Sequence, residues 1–324
     1  MMGDAQSRLV GLDALRGIAA LAVLLVHIDQ SLLPRGILAV DLFFMLSGFV
    51  MARTYESRLQ SGMGPLAFLR KRYRRLLPAY ALGCALGLVW LLTNDFPPLL
   101  VVALFVPALL FLPTPINGYL YPYNGPGWSL TWELLANILH ALIFARLSTR
   151  ALVRVIAVLA VALAWIGFAQ GIIYAGAYWN GMAQTFARAL VCYGIGIVLF
   201  RKQEMAPAVP PVVAVIAFPL ILIAIGALAQ IPAMLVFDLL VCPLLVWSAA
   251  SGNLPLPRLW LFLGAMSYPL YALHVPVLQW IGTMGVASWW GALLALMLAA
   301  CAAIWPRLRG WGTLALRRNE PEVR

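Results

Sequence analysis

The sequence predicts an all-helical, polytopic membrane protein with about ten spans, and three observations carry that expectation. Of its 324 residues, 64% are hydrophobic and 10% charged, whereas soluble domains run near 45–50% apolar and about 25% charged. The apolar residues gather in runs close to the roughly 20 residues that a helix needs to cross a bilayer. The cations collect between alternate runs, which is the pattern of a chain threaded with its basic loops on one side. A water-soluble fold could not cover so much apolar surface. One membrane domain over residues 1–324, with no separate soluble domain, is the expected organisation.

Taken in order, the runs lie near 14–33, 36–52, 76–93, 99–112, 128–145, 151–169, 181–200, 211–229, 233–250, 261–280 and 288–305. The first, preceded by Arg8, is too long for a signal-peptide core and reads as an uncleaved span. The run at 99–112 is short, edged by Pro97, Pro98 and Pro113 and interrupted by Pro107, so it reads as re-entrant or interfacial. Ten spans remain. With the N-terminus inside, 19 of the 22 Lys and Arg residues fall on the cytoplasmic side. They are Arg8, seven in a loop over 53–75, Arg146, Arg150, Arg154, Arg201, Lys202, Arg258 and five in the C-terminal tail. Arg35 alone faces out, Arg16 and Arg188 sit within spans, and both termini are cytoplasmic. Were 99–112 a span, the Arg146 to Arg154 cluster would move outside.

This placement assigns the formal charge of +11 to the membrane surface rather than to nucleic acid. Cys84, Cys192, Cys242 and Cys301 fall in apolar segments without metal-ligand spacing, so neither a disulfide framework nor a metal site is expected. No internal repeat supports an inverted-repeat transporter.

Ionisable groups inside a bilayer are costly and mark function by default. Arg16 and His27 share the first span, and eleven residues at 100° each bring them to within roughly 20° on one face, about three turns apart. Arg16 reads either as a snorkelling anchor or as part of a site. His27 reads either as a buried imidazole bonded to a carbonyl or as a general base, since imidazole titrates near neutrality. The ten-span topology puts His27, Asp41, Glu133 and His274 in one layer about 10 Å below the outer surface. Such a layer would hold a base, its orienting partner and polar contacts for a substrate.

Arg70, Lys71, Arg72, Arg74 and Arg75 read either as an anchor at anionic headgroups or as a phosphate site built on guanidinium forks. Gly125, Pro126 and Gly127 predict a helix start with Ser129 as cap and Glu133 in its first turns. The aromatics from Tyr119 to Tyr123 and Trp179 fit an interfacial belt. His140 has no partner that the sequence names and reads as a packed side chain.

The same residues carry a resemblance. GLDALRGIAALAVLLVHI resembles the first helix of the acyltransferase 3 family, marked by an Arg, ten intervening residues and a His, here Arg16 and His27. VDLFFMLSGFV, with Asp41 and Ser47, is similar to the family's second-helix signature, and Arg72 and Arg75 match its Arg-x-x-Arg pattern. WSLTWE, with Trp128, Ser129 and Glu133, looks like its Trp-Ser-Leu-x-x-Glu motif. SYPLYALHVPV, with Tyr268, Tyr271 and His274, resembles its late Ser-Tyr-x-x-Tyr-x-x-His-x-Pro motif.

The resemblance implies a stand-alone enzyme of the bacterial cytoplasmic membrane. It would move an acyl group, usually acetyl, from cytoplasmic acyl-CoA to a hydroxyl of a sugar, glycan or glycolipid. Acyl-CoA would be a donor substrate, with no cofactor bound permanently. His27 would be catalytic, with Arg16, Asp41 and Glu133 beside it and Arg72 and Arg75 holding the donor. Ser47, Trp128, Ser129, Tyr268, Tyr271 and His274 complete the expected pocket. A transporter or flippase for a glycan or lipid-linked solute is the competing reading, and a non-enzymatic scaffold a third.

Overall fold

The computed structural model describes residues 9–171, 176, 179–206 and 209–318, with side chains as far as Ile304 apart from Ala227. Arg8 and the tail cations named above lie outside the residues whose side chains are described. Eleven helices are present among the described residues. They are α1 Val10–Ile28, α2 Ala39–Gln60, α3 Pro65–Leu92, α4 Pro98–Leu109, α5 Gly127–Leu142, α6 Thr149–Gln170, α7 Met182–Arg201, α8 Pro211–Ala224, α9 Gln230–Ala249, α10 Pro257–Thr283 and α11 Ser288–Arg318. A π-helical turn, Phe237–Val241, interrupts α9.

Eight of these segments are long and apolar enough to cross a membrane. The protein is therefore polytopic, as its composition predicts. Two of the ten expected spans differ. The run at 211–229 forms only the 14-residue α8, because Pro210 and Pro211 fix its start and a 3-10 turn at Ile225–Ala227 ends it. The run at 288–305 lies in α11, whose described apolar part, Ser288–Ile304, is also short. The 12 residues of α4 reach about 18 Å, well under the roughly 30 Å of a hydrocarbon core.

The basic stretch over 53–75 is not a loop. α2 runs on to Gln60 and α3 begins at Pro65, so Arg53 and Arg58 sit on one helix and Arg70 to Arg75 on the next. At 28 residues α3 is about 42 Å long, so its basic first turns project past the apolar core.

The bundle is organised around α2, which packs mainly on α7, and around α10, which packs on α1, α3 and α11. The α2–α7 contact depends on two glycines. A Cβ at Gly48 would lie 1.9 Å from the Tyr193 carbonyl oxygen, and one at Gly196 would lie 2.1 Å from that of Met45. Backbones can approach this closely only where the side chain is a hydrogen, and the contact area replaces the hydrophobic drive that lipid cannot supply. α6 turns Val158, Val161, Trp165 and Phe168 outward, which costs nothing against lipid. The tract expected as an aromatic belt divides. Tyr119 and Trp179 are exposed, but Tyr121 and Tyr123 are buried, the latter donating to the Val101 carbonyl so that α4 is tied to the chain before α5.

Candidate active site

Helices α1, α2, α3, α5 and α10 enclose a cavity of about 640 Å³. Eight of the residues singled out in the sequence line it: Arg16, Ser47, Arg72, Arg75, Ser129, Glu133, Tyr268 and Tyr271. They converge because each helix turns its polar residues toward the others rather than toward lipid. On α3, Arg72 and Arg75 are three residues apart and share a face. Arg74, about 200° from Arg72, is exposed and does not line the cavity.

Glu133 is the hub of the cavity wall. Its Oε1 accepts from Arg72 Nη2 at 2.5 Å and from Ser47 Oγ at 2.7 Å, so three helices meet on one oxygen. Arg72, expected as a donor ligand, is thus engaged by Glu133, and Glu133 lines the cavity whereas His27 does not. Arg75 lines the cavity and is exposed, while Arg16 sits 4.0 Å from Asp13, a carboxylate that sequence reading passed over. Ser129 does not cap α5, whose N-cap is Pro126. Its hydroxyl donates to the Pro126 carbonyl at 2.9 Å and shares a 2.5 Å hydrogen bond with the Tyr271 hydroxyl. Trp128 is buried against Phe44 and does not line the cavity. Tyr268 donates to the Leu76 carbonyl and so braces α10 on α3.

The two histidines of the expected layer do come together, outside the cavity. The His27 and His274 rings meet edge to face at 4.8 Å. His27 Nδ1 lies 2.8 Å from the Val23 carbonyl, and His274 Nδ1 lies 2.8 Å from that of Tyr271. A carbonyl only accepts, so both Nδ1 atoms carry hydrogen and both Nε2 atoms present a lone pair. His27 belongs to the last turn of α1 and is exposed, shallower than the expected depth because α1 ends at Ile28 rather than near 33. His274 is buried, and its Nε2 has no hydrogen-bond partner among the described residues.

Asp41 does not line the cavity and faces α7 instead. It is fully buried and accepts from Arg188 Nε at 2.7 Å, with Asp238 of the π turn beside it. A lone carboxylate at that position could not stay charged away from water, and Arg188 of α7 is the cation that compensates it. One ligand-type atom from each of Asp41, Cys192 and Asp238 lies within 4.8 Å of the others. Asp238 was not visible as a partner from the sequence, because nothing local to α9 indicates which helix its π turn faces. His140 is buried and bonded to the Tyr193 hydroxyl at 2.9 Å, which ties α5 to α7.

Comparison with known proteins bears on this arrangement of motifs. The acyltransferase 3 family model, described as an acyltransferase domain, matches residues 9–306. "Protein 2 in picA locus" of Rhizobium radiobacter is 38% identical over 179 residues, covering 48% of this chain and 93% of that protein. The exopolysaccharide production protein ExoZ of Rhizobium meliloti is 34% identical over 103 residues, covering 31% of this chain and 32% of ExoZ. The O-acetyltransferase OatA of Staphylococcus aureus is 36% identical over 74 residues, covering 22% of this chain and 12% of OatA. No solved structure matches. With the family match running from the first turn of α1 into α11, the chain belongs to the acyltransferase 3 family and is a membrane acyltransferase.

Proposed function

We propose that this enzyme transfers an acyl group, acetyl in the simplest case, from cytoplasmic acyl-CoA to a hydroxyl of a cell-surface polysaccharide, glycolipid or other glycan. The observation that carries the proposal is a cavity with a basic end and, beyond its opposite wall, a histidine pair whose Nδ1 atoms are held by backbone carbonyls. Arg75 and Arg16 are the cations on hand for the donor's phosphates and carbonyls, and both termini are taken to be cytoplasmic with them. Arg72 and Ser47 act by holding Glu133. The acceptor approaches from the opposite, outer face of the bacterial cytoplasmic membrane, where His27 is exposed.

At His27, Nε2 takes the proton of the acceptor hydroxyl as its oxygen attacks the thioester carbonyl. The new C–O ester bond forms, the C–S bond breaks, and the proton passes to the departing thiolate. The Val23 carbonyl keeps the ring in the tautomer this step needs. His274 packs against the ring edge and restricts its rotation. The names of ExoZ and OatA, exopolysaccharide production and O-acetyl transfer, support a glycan acceptor and an acetyl donor.

The deciding experiment gives purified protein radiolabelled acetyl-CoA with and without bacterial glycolipid or polysaccharide extract. Coenzyme A release should depend on the extract and vanish in His27→Ala with the protein still folded. No thioester consumption by the parent protein under any extract would refute the reading and favour a transporter.

A further inference from the structure

The cavity and the histidine pair are separated by side chains. At the cavity's inner end stand Phe43 and Tyr271, with ring centroids 5.6 Å apart. Behind Tyr271 lies the His274 ring at 5.8 Å, and behind that His27 at 4.8 Å. Tyr271 is 7% exposed, and its hydroxyl is held by Ser129 across the gap between α10 and α5. The file of rings from Phe43 to His27 is closed packing, so a thioester in the cavity does not touch His27 in this arrangement.

The helix that carries the barrier is built to give locally. Pro269 and Pro276 bracket Tyr271 and His274, and each removes the hydrogen bond that would reach four residues back, to Ala265 and Ala272. The Ala272 carbonyl is taken instead by Asn124 Nδ2 at 2.9 Å. A neighbouring side chain that takes up a carbonyl freed by proline is what lets such a helix be broken locally inside a membrane. Between the prolines, the Tyr271 hydroxyl is tied to α5 through the Ser129 hydroxyl.

We infer that Tyr271 is the residue that decides between acyl transfer and loss of the acyl group to water. In place, it seals the donor cavity from the His27 face; swung away from Ser129, it joins the two. This rests on the acyl-transfer reading above and adds its specificity determinant. Without the seal, water entering from the His27 face attacks the same carbonyl. The C–S bond then breaks, a C–O bond to water forms, and the products are a carboxylic acid and the thiol.

The test uses the full chain in sealed vesicles, with Cys301→Ser removing the exposed thiol and Val50→Cys placing one in the cavity wall. A membrane-impermeant maleimide is applied from either side. The Val50→Cys thiol should react from the Arg53 and Arg75 face only. Adding Tyr271→Ala should raise the reaction from the His27 face at least tenfold, and should raise acetyl-CoA hydrolysis without acceptor several-fold. Unchanged labelling from the basic face reports that the fold is intact. If Tyr271→Ala does not fold, Tyr271→Leu decides, with an expected rise of several-fold. Labelling from the His27 face equal to that of the parent, in a folded variant, overturns the barrier whether or not the thioester is consumed. The expected labelling with no thioester consumed by any form would sustain the barrier and overturn the acyl-CoA reading instead.

Discussion

Glu133 and Arg72 offer the sharpest quantitative test, because their bond is the one around which the cavity wall is assembled. Arg72→Gln leaves the carboxylate without its cation, Glu133→Gln leaves the guanidinium without its anion, and the double variant leaves two amides that can pair. Breaking a buried ion pair by removing one partner costs about 3–5 kcal/mol, whereas an exposed pair is worth about 1 kcal/mol or less. The side chains are 6% and 17% exposed, the latter toward the cavity, so some screening applies. A coupling of about 2 kcal/mol follows, a factor of about 30 in an equilibrium constant. The assay is unfolding of detergent-solubilised protein by dodecyl sulfate titration across the full double-mutant cycle, with coenzyme A release measured in parallel. The double variant should be more stable than the two single losses sum to. Coupling below about 0.5 kcal/mol would make the changes additive and refute the claim that this pair organises the site.

Arg75→Lys should raise the Michaelis constant for acyl-CoA several-fold, because a single ammonium replaces a fork, while Arg70→Lys and Arg74→Lys stay near the parent value. Equal, small effects at all three would return the segment to the role of lipid anchor. Asp41→Asn should cost about 3 kcal/mol of stability in the same titration, since it removes the carboxylate that accepts from Arg188 Nε inside the bundle and leaves Asp238 as the nearby anion, and an unchanged midpoint would contradict that. Gly48→Leu should abolish recovery of folded protein, because its Cβ alone meets the Tyr193 carbonyl, and normal yield of a monodisperse variant would count against the close α2–α7 approach. A reporter fused after Asn117 should be periplasmic and one after Thr149 cytoplasmic, and the reverse pair would mean that α4 is part of a true crossing.

The helices were legible because their signal is local. Twenty apolar residues and the prolines at 97, 98, 107 and 113 say where a span can and cannot form without reference to any other part of the chain. Their ends were less legible. The cations from Arg53 to Arg75 looked like loop material, yet α2 and α3 continue through them, because long basic side chains are satisfied by headgroups and water while the backbone remains helical.

The partners of the buried charges were the least legible, and the reason is geometric. Depth along a span follows from counting residues, and by that count His27, Asp41, Glu133 and His274 form one layer. Facing direction depends on which neighbour a helix meets, and that is a tertiary fact. Asp41 and Ser47 are six residues apart on α2, about 120° apart around its axis, so when Ser47 faces Glu133 in the cavity Asp41 must face elsewhere. It meets α7, where Arg188 answers it. A charge within a span therefore announces that some compensating partner exists. Only the helix phase, fixed at a second residue of known contact, selects which partner it is.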